Sequence, residues 1–341
     1  MFSGLIEKLL RRQDLTADEA ATAMEEIMEG RAPSAQIAGL LIAMAMKGER
    51  PPEVVGLART MRARSTKLSR TYPDVFDTCG TGGDRAHTFN VSTLAALVVA
   101  ACGVRVAKHG NRSVSSRCGS ADLFEALGVN VTATPAIVER CLDEVGLAFF
   151  FAPTFHPSMR HAGPTRKELG VRTAFNLLGP LTNPAGAARQ LVGVPRSELT
   201  ELVARSLGLL GSTRAWVVHG ADGLDEISTT GYTKVSEYRD GAVNTFYLHP
   251  GDVDLPKAAA DALRGGDAAD NARIARDVLS GSRGAPRDIV LFNAGASLLI
   301  AGATATLGEG IQRAAAALDS GAASNVLDRL TAISHATPEA A

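Results

Sequence analysis

No cysteine in this chain stands at metal-binding spacing. Cys79, Cys102, Cys118 and Cys141 form no C-x-x-C pair and have no histidine at zinc-finger distance, which points to a reduced protein. Long apolar runs are missing as well. The longest, Leu94 to Cys102, is far short of the ~20 residues that a membrane helix needs. The N-terminus lacks a basic-then-apolar leader, so the expected location is cytoplasmic. A formal net charge of −1 leaves no broad basic field for a nucleic-acid backbone and no polybasic stretch for a membrane surface. Internal repeats and low-complexity segments are also absent. What remains is small-molecule chemistry, in a chain of 341 residues whose 45% apolar and 21% charged content suits an ordinary globular protein of two domains.

What the chain does have is clustered glycine. Gly80, Gly82 and Gly83 follow the strand-like run Val75-Phe76-Asp77, and Thr88 to Thr93 then opens the apolar segment Leu94 to Cys102. This reads as strand, glycine loop, helix. Glycines at such a turn let backbone N–H groups approach an anion, and the following helix adds its own unpaired N–H groups and positive dipole end. Asn90, Ser92 and Thr93 are placed to cap that helix or to donate to phosphate oxygens, and Gly103 is a natural stop for it.

The next unit repeats the logic. Val104 to Ala107 reads as a strand that delivers Lys108, His109, Asn111 and Arg112 into a loop, where Ser113, Ser115 and Ser116 supply hydroxyls. Gly119-Ser120-Ala-Asp122 leads into a second helix through Leu127, which Gly128 ends. Neither spacing is a Walker loop or a dinucleotide fingerprint. Either loop alone reads as a plain glycine turn, but two in tandem with Lys, Arg and several hydroxyls favour anion binding.

Together Cys79-Gly-Thr-Gly-Gly-Asp84, Thr88-Phe-Asn-Val-Ser-Thr93, Lys108-His-Gly-Asn-Arg-Ser113 and Gly119-Ser-Ala-Asp122 resemble the anthranilate phosphoribosyltransferases. The likeness continues through His156-Pro157, Arg166 to Thr173 and Phe175 to Pro184, and reaches Asp319-Ser-Gly-Ala322. Val91 stands where isoleucine is common, a change of volume only.

The first seventy residues show helix signals and no convincing strand. Thr16-Ala-Asp-Glu19 is a capping box, Ser34 is placed to cap Ala35 to Met46, and Pro51-Pro52 opens another helix. Leu40, Leu41, Met44 and Ala45 recur at helical spacing and read as core, with an exposed dimer face as the alternative. Arg59 to Arg70 reads as the connection to the second domain. Thr134 is placed to cap Pro135 to Val145, and Leu147 to Phe151 reads as a strand buried on both faces. A loop, Ala152 to Pro157, is expected after it. His156 and His161 are candidates for catalysis, but a histidine beside Pro or Gly in a loop is more often structural. Arg160, Arg166, Lys167 and Arg172 fall on a helical stretch interrupted by Pro164.

Gln190 to Val194 and Arg214 to Val218 read as strands around a helix, Ser197 to Leu210, capped by Ser197. In the loop after the second strand, Asp225 and Glu226 are oxygen ligands of the kind Mg²⁺ takes when it also holds phosphates, although two adjacent acids alone are usually solvated. Asp222 is a weaker metal-ligand candidate, its plainer role being to cap the turn at Gly223. Asp240-Gly241 signals a hairpin between Val235 to Tyr238 and Val243 to Leu248. Three helical stretches are expected after a loop at Asp252 to Lys257, with Ala336 to Ala341 fraying.

The alternation predicts an α/β fold, a mostly parallel sheet covered by helices, with a smaller N-terminal all-α domain. The expected boundaries are 1–72, joined by helices from about 160–185, and 73–341. The resemblance implies transfer of phosphoribosyl from 5-phosphoribosyl 1-diphosphate (PRPP) to the amine of anthranilate, in tryptophan biosynthesis. It implies PRPP contacts from Gly80, Gly83, Asp84, Thr88, Asn90, Val91, Ser92, Thr93, Lys108, His109, Gly110, Asn111, Arg112, Ser113, Val114, Ser115, Ser116 and Ser120. It also implies Mg²⁺ on Ser92, Asp225 and Glu226, anthranilate on Gly80, His109, Asn111 and Arg166, and a homodimer formed through the helical domain. No side chain is expected to act as a strong base; catalysis is positioning and charge stabilisation. The competing readings are a pyrimidine nucleoside phosphorylase, which shares the fold, and an inactive nucleic-acid-binding relative.

Overall fold

The computed structural model describes residues 2–84, 86–113 and 117–337. The chain begins with four helices, α1 (Phe2–Leu10), α2 (Ala17–Met28), α3 (Ser34–Lys47) and α4 (Pro51–Ala63). The capping box at α2 is formed as expected: Thr16 Oγ1 accepts from Glu19 N at 3.1 Å, and Glu19 Oε2 accepts from Thr16 N at 2.7 Å. At α3 the expectation fails by one residue. Pro33 occupies the cap with extended dihedrals (φ −63°, ψ 146°), so Ser34 is already helical and caps nothing. Leu40, Leu41 and Met44 are buried, but Ala45 is exposed beside Met46, because it falls at the edge of the stripe that those three define. Helix α4 runs on into Arg59 to Ala63, which the sequence pattern assigns to the connection.

The linker that follows is anchored to α7 (Pro135–Glu144). Glu139 accepts from Ser69 N (3.1 Å), Ser69 Oγ (2.6 Å), Arg70 N (2.9 Å) and Tyr72 Oη (3.2 Å).

Seven strands form one sheet: β1 (Phe76–Gly80), β2 (Val106–Gly110), β3 (Leu147–Phe151), β4 (Arg189–Gly193), β5 (Arg214–Gly220), β6 (Thr233–Arg239) and β7 (Ala242–Leu248), ordered β3-β2-β1-β4-β5-β6-β7. Strands β3 to β5 of that order are parallel, and β6 and β7 add an antiparallel edge. Asp240 (φ 51°) and Gly241 (φ 81°) make the hairpin turn between them, both in the left-handed region that such a turn requires.

The remaining helices are α5 (Val91–Ala101), α6 (Ser120–Ala126), α8 (Ala152–Phe155), α9 (Gly163–Leu169), α10 (Phe175–Leu181), α11 (Leu199–Leu209), α12 (Ala268–Leu279), α13 (Ala285–Ile300), α14 (Leu307–Asp319) and α15 (Ala322–Ser334). Three of these correct the sequence reading. After β3 the chain enters α8 and a 3₁₀ turn, Pro157–His161, instead of a loop, since Pro153 is at home in a first helical turn. Helix α11 starts at Leu199, and Ser197 lies in the preceding turn, where its carbonyl accepts from Thr200 Oγ1 at 2.9 Å. Four helices, not three, close the chain, because Gly321 at φ 75° separates α14 from α15.

Both faces of the sheet are buried. Leu191, Trp216 and Val218 pack with α5 and the C-terminal helices. Their neighbours Val192, Ala215 and Val217 point the other way, into a cluster that holds α1 to α4, α10 and α11. Ala162, Ala174, Phe175, Leu177, Leu178 and Leu181 join that same cluster.

Helices α2 and α4 cross closely at Gly56, where an added Cβ would lie 2.1 Å from Ala17 O and 2.9 Å from Ala20 Cβ. Gly56→Ala must push the two helices apart. Thermal melting is expected to show a loss of about 1–3 kcal/mol, the usual scale of overpacking.

Candidate active site

The glycine loop is held on three sides. Thr81 N donates to Gly193 O at 2.9 Å, extending the β1–β4 pairing by one step. Gly82 N donates to Asp225 Oδ2 at 3.0 Å, while Arg172 donates to Gly82 O from the opposite side. Gly82 and Gly83 sit at φ 66° and 78°, conformations that side chains rarely adopt. A Cβ on Gly83 would also collide with the Arg172 guanidinium.

Helix α5 starts directly behind this loop. Asn90 occupies its cap but does not cap it with the side chain. Its amide instead donates to Cys118 O and accepts from Asn271 Nδ2, both at 3.0 Å. The N-terminal N–H of Ser92 donates to Glu226 Oε1 at 3.2 Å, so a carboxylate lies at the positive end of the helix. Thr88 bridges to Arg264, and Asp84 Oδ1 accepts from Ala86 N at 3.3 Å. Val91 and Thr93 are fully buried.

Lys108 and His109 are loop residues by the sequence pattern, but both lie within β2, buried. A lysine belongs there because its ammonium finds partners: Nζ donates to Thr78 O at 2.5 Å and to Ser92 Oγ at 3.4 Å. His109 Nδ1 donates to Gly179 O at 3.0 Å, leaving Nε2 as a buried acceptor. Gly110 ends the strand against Ser120, whose Oγ lies 2.2 Å from where a Cβ would stand. Asn111 is exposed, and its carbonyl accepts from Ser120 Oγ at 3.4 Å. Arg112 is turned onto α6, donating to Asp122 Oδ1 at 3.1 Å and Glu125 Oε2 at 2.7 Å. Ser113 N donates to Asp122 Oδ2 at 3.0 Å. Val114, Ser115 and Ser116 lie outside the described residues.

The acidic loop follows β5. Asp222 is a turn-former, accepting from Leu224 N at 3.2 Å and Ser228 Oγ at 2.6 Å. Asp225 and Glu226 face the glycine loop. Burial, and then the neighbouring Asp84 carboxylate, raise Asp225 from 3.8 to about 7. Burial, and then Asp225 itself, raise Glu226 well above its ordinary value. Among the described residues neither acid makes an ion pair within 4.0 Å.

Arg166, on α9, is half-buried over the Phe175 ring, 5.1 Å from its centroid. Burial lowers its pKa, and among the described residues no carboxylate pairs with it. Phe175 opens α10, the helix whose Gly179 holds His109, so α10 links the two. His156 is buried with its ring centroid 5.2 Å from that of His109. Burial, and then His109, push its pKa down to about 3, which keeps it neutral.

Sequence reasoning gives no site role to Gly193, Arg172, Asp77, Asn183 or Asn271. Gly193 has one visible signal, its place at a strand end. A Cβ there would lie 1.6 Å from Asp225 O.

Family models match almost the whole chain: a glycosyl transferase family helical bundle domain over residues 3–65 and a glycosyl transferase family a/b domain over residues 72–324. An anthranilate phosphoribosyltransferase of Moorella thermoacetica is 56% identical over 332 residues, covering 97% of this chain and 98% of the relative. The chain belongs to the anthranilate phosphoribosyltransferase family. Among solved structures, the family member from Thermus thermophilus superposes with a TM-score of 0.92 at 45% identity, covering 97% of this chain and 99% of that one. The Saccharomyces cerevisiae member, in complex with PRPP and Mg, gives 0.89 at 27% identity, covering 98% and 97%. The α/β sheet with an N-terminal helical domain is the architecture of the family.

The raised acids make a stability prediction. A carboxylic acid whose folded pKa is elevated stabilises the fold below its unfolded value and loses that contribution as pH rises through the folded one. For Asp225 the window runs from 3.8 to about 7. In Mg²⁺-free buffer, Asp225→Asn is therefore expected to gain melting temperature relative to wild type as pH rises through this window and to keep a constant lead above it. A difference independent of pH would show that the carboxylate is not strained in the folded state.

Proposed function

We propose that the protein transfers the phosphoribosyl group of PRPP to the amino group of anthranilate, releasing pyrophosphate, as a step of tryptophan biosynthesis. The observation that carries this reading is the acidic pair, which makes no ion pair among the described residues, laid against a glycine loop and a helix N-terminus. Such an arrangement has an anion site and a cation site side by side. Relatives named anthranilate phosphoribosyltransferase over nearly full length disfavour both a nucleoside phosphorylase and a nucleic-acid-binding relative.

The donor set fits Mg²⁺: the Asp225 and Glu226 carboxylates and the Ser92 hydroxyl are hard oxygens, and the Saccharomyces relative is seen with Mg. When bound, Mg²⁺ would neutralise charge on the departing diphosphate. The chain's own groups do the rest. Backbone N–H groups of the glycine loop and α5 bind phosphate oxygens, with Lys108 adding a buried positive charge beside Ser92. Asp84, Thr88, Asn90 and Ser120, with Arg112 and the Ser113 to Ser116 loop, complete the PRPP site. Arg166 takes the anthranilate carboxylate, since a guanidinium fork matches it bidentately, and His109, Asn111 and Gly80 place the amine at the ribose C1.

The helical domain in this reading is 1–72 together with 160–185, whose helices α1 to α4 and α10 share one hydrophobic cluster. It forms the homodimer contact, supported by Leu10 and Met46, 70% and 74% exposed. A cytoplasmic enzyme accords with four free cysteines; among the described residues no helix is long and apolar enough to cross a membrane.

Loss of anthranilate fluorescence on adding PRPP and Mg²⁺ tests the reaction. No loss, with thymine released from thymidine and phosphate, would replace the transferase by a phosphorylase. Arg166→Ala is expected to raise KM for anthranilate by roughly 1.5–3 kcal/mol of lost binding while leaving KM for PRPP nearly unchanged; equal weakening of both points to a structural arginine. Asp225→Asn with Glu226→Gln is expected to remove most activity at ordinary Mg²⁺, read as activity titrated against Mg²⁺. An unaltered titration curve would mean that the acids do not hold the ion.

A further inference from the structure

Strands β1 and β2 start as neighbours and then stop pairing through their backbones. Their register holds at one pair, Phe76 with Val106, whereas β1–β4, β2–β3 and β4–β5 each hold five. Side chains take over where the ladder ends. Asp77 Oδ1 accepts from His109 N at 3.2 Å, and Lys108 Nζ donates to Thr78 O at 2.5 Å. Asn183, in the turn after α10, donates to Asp77 Oδ2 and to Ala107 O, each at 2.8 Å, and its own Oδ1 accepts from Ala185 N at 2.9 Å. Asp77, Lys108 and Asn183 are buried, at 0%, 1% and 2% exposure.

We propose that Asp77, held by Asn183, is a positioning residue for both substrates, fixing the end of β2 from which Lys108 faces the diphosphate and His109 and Asn111 face the amine acceptor. This rests on the transferase reading above. A sheet normally sets strand position by backbone hydrogen bonds. Beyond Phe76 side chains hold the β1 side of β2 while β3 pairs its other edge, so removing the Asp77 carboxylate loosens β2 against β1 and the glycine loop that follows it. The acid is required as an acid. Both of its oxygens face N–H donors, and an amide in the same place would turn its own N–H₂ against one of them. Burial raises the pKa of Asp77 and lowers that of Lys108, and each opposes the other's shift by charge attraction, so losing the carboxylate leaves the buried ammonium less supported. Neither Asp77 nor Asn183 needs to touch a substrate.

The test compares wild type, Asp77→Asn and Asn183→Ala, with folding checked by melting and far-ultraviolet circular dichroism. Dissociation constants for PRPP with Mg²⁺ are read by calorimetry and KM for anthranilate by steady-state kinetics. Asp77→Asn is expected to weaken both substrates by roughly tenfold or more, the scale of one buried charge-assisted hydrogen bond. Asn183→Ala is expected to weaken both in the same direction and by less. This pattern differs from Arg166→Ala, which affects anthranilate alone. A lower melting temperature with both constants unchanged per folded molecule would overturn the proposal and leave Asp77 a packing residue. Should Asp77→Asn fail to fold, Asn183→Ala decides by the same criterion. Wild-type protein that binds no PRPP would overturn the transferase reading instead.

Discussion

The acidic loop can rest on the glycine loop only because two strand ends carry no side chain. Gly193 ends β4 under the Asp225 carbonyl, and Gly80 ends β1 under the Asp225 carboxylate, where a Cβ would lie 2.6 Å from Oδ2. With both positions open, Asp225 reaches Gly82 N and Glu226 reaches the first turn of α5. Any larger residue would lift the acids away from the glycine loop and from the first turn of α5. The closeness has a cost: two carboxylates are forced together in a half-buried place, and both resist ionising.

Much of this was legible in the sequence because glycine and proline act locally. The loop at Gly80 to Gly83, the hairpin at Asp240-Gly241 and the stop at Gly103 each follow from backbone conformations that few other residues adopt. Strand β3 was legible for a different reason, since an unbroken apolar run of five is what a strand covered on both faces looks like. The family resemblance then supplied roles that spacing alone leaves open, above all for Arg166 and the acidic pair.

What was not legible depends on partners distant in sequence. Lys108 looks like the end of a strand because charge normally marks exposure, yet its partner Thr78 lies thirty residues earlier. The Asp77 network needs Asn183, more than a hundred residues away, and nothing near Asp77 announces it. Ser34 fails as a cap because Pro33 has already taken the position. Arg172 reads as one basic residue among several on a helical stretch, and only the fold brings it across to Gly82.

The grip of Glu139 on the linker has a mechanical meaning. Residues Ser69 to Tyr72 travel with the sheet, through four hydrogen bonds to α7, while α4 ends at Ala63 within the other cluster. The stretch between, Arg64 to Leu68, is itself tied down where Thr66 N donates to Phe155 O at 2.8 Å. The chain crosses again where Phe155 gives way to Ala162, and returns between Leu181 and Arg189. The helical cluster is also seated on the sheet itself through Val192, Ala215 and Val217, so the crossings and the core between them act together against sliding. Arg166 and Arg172 both lie on the stretch between the second and third crossings, so any shift of the helical cluster against the sheet carries the two arginines together.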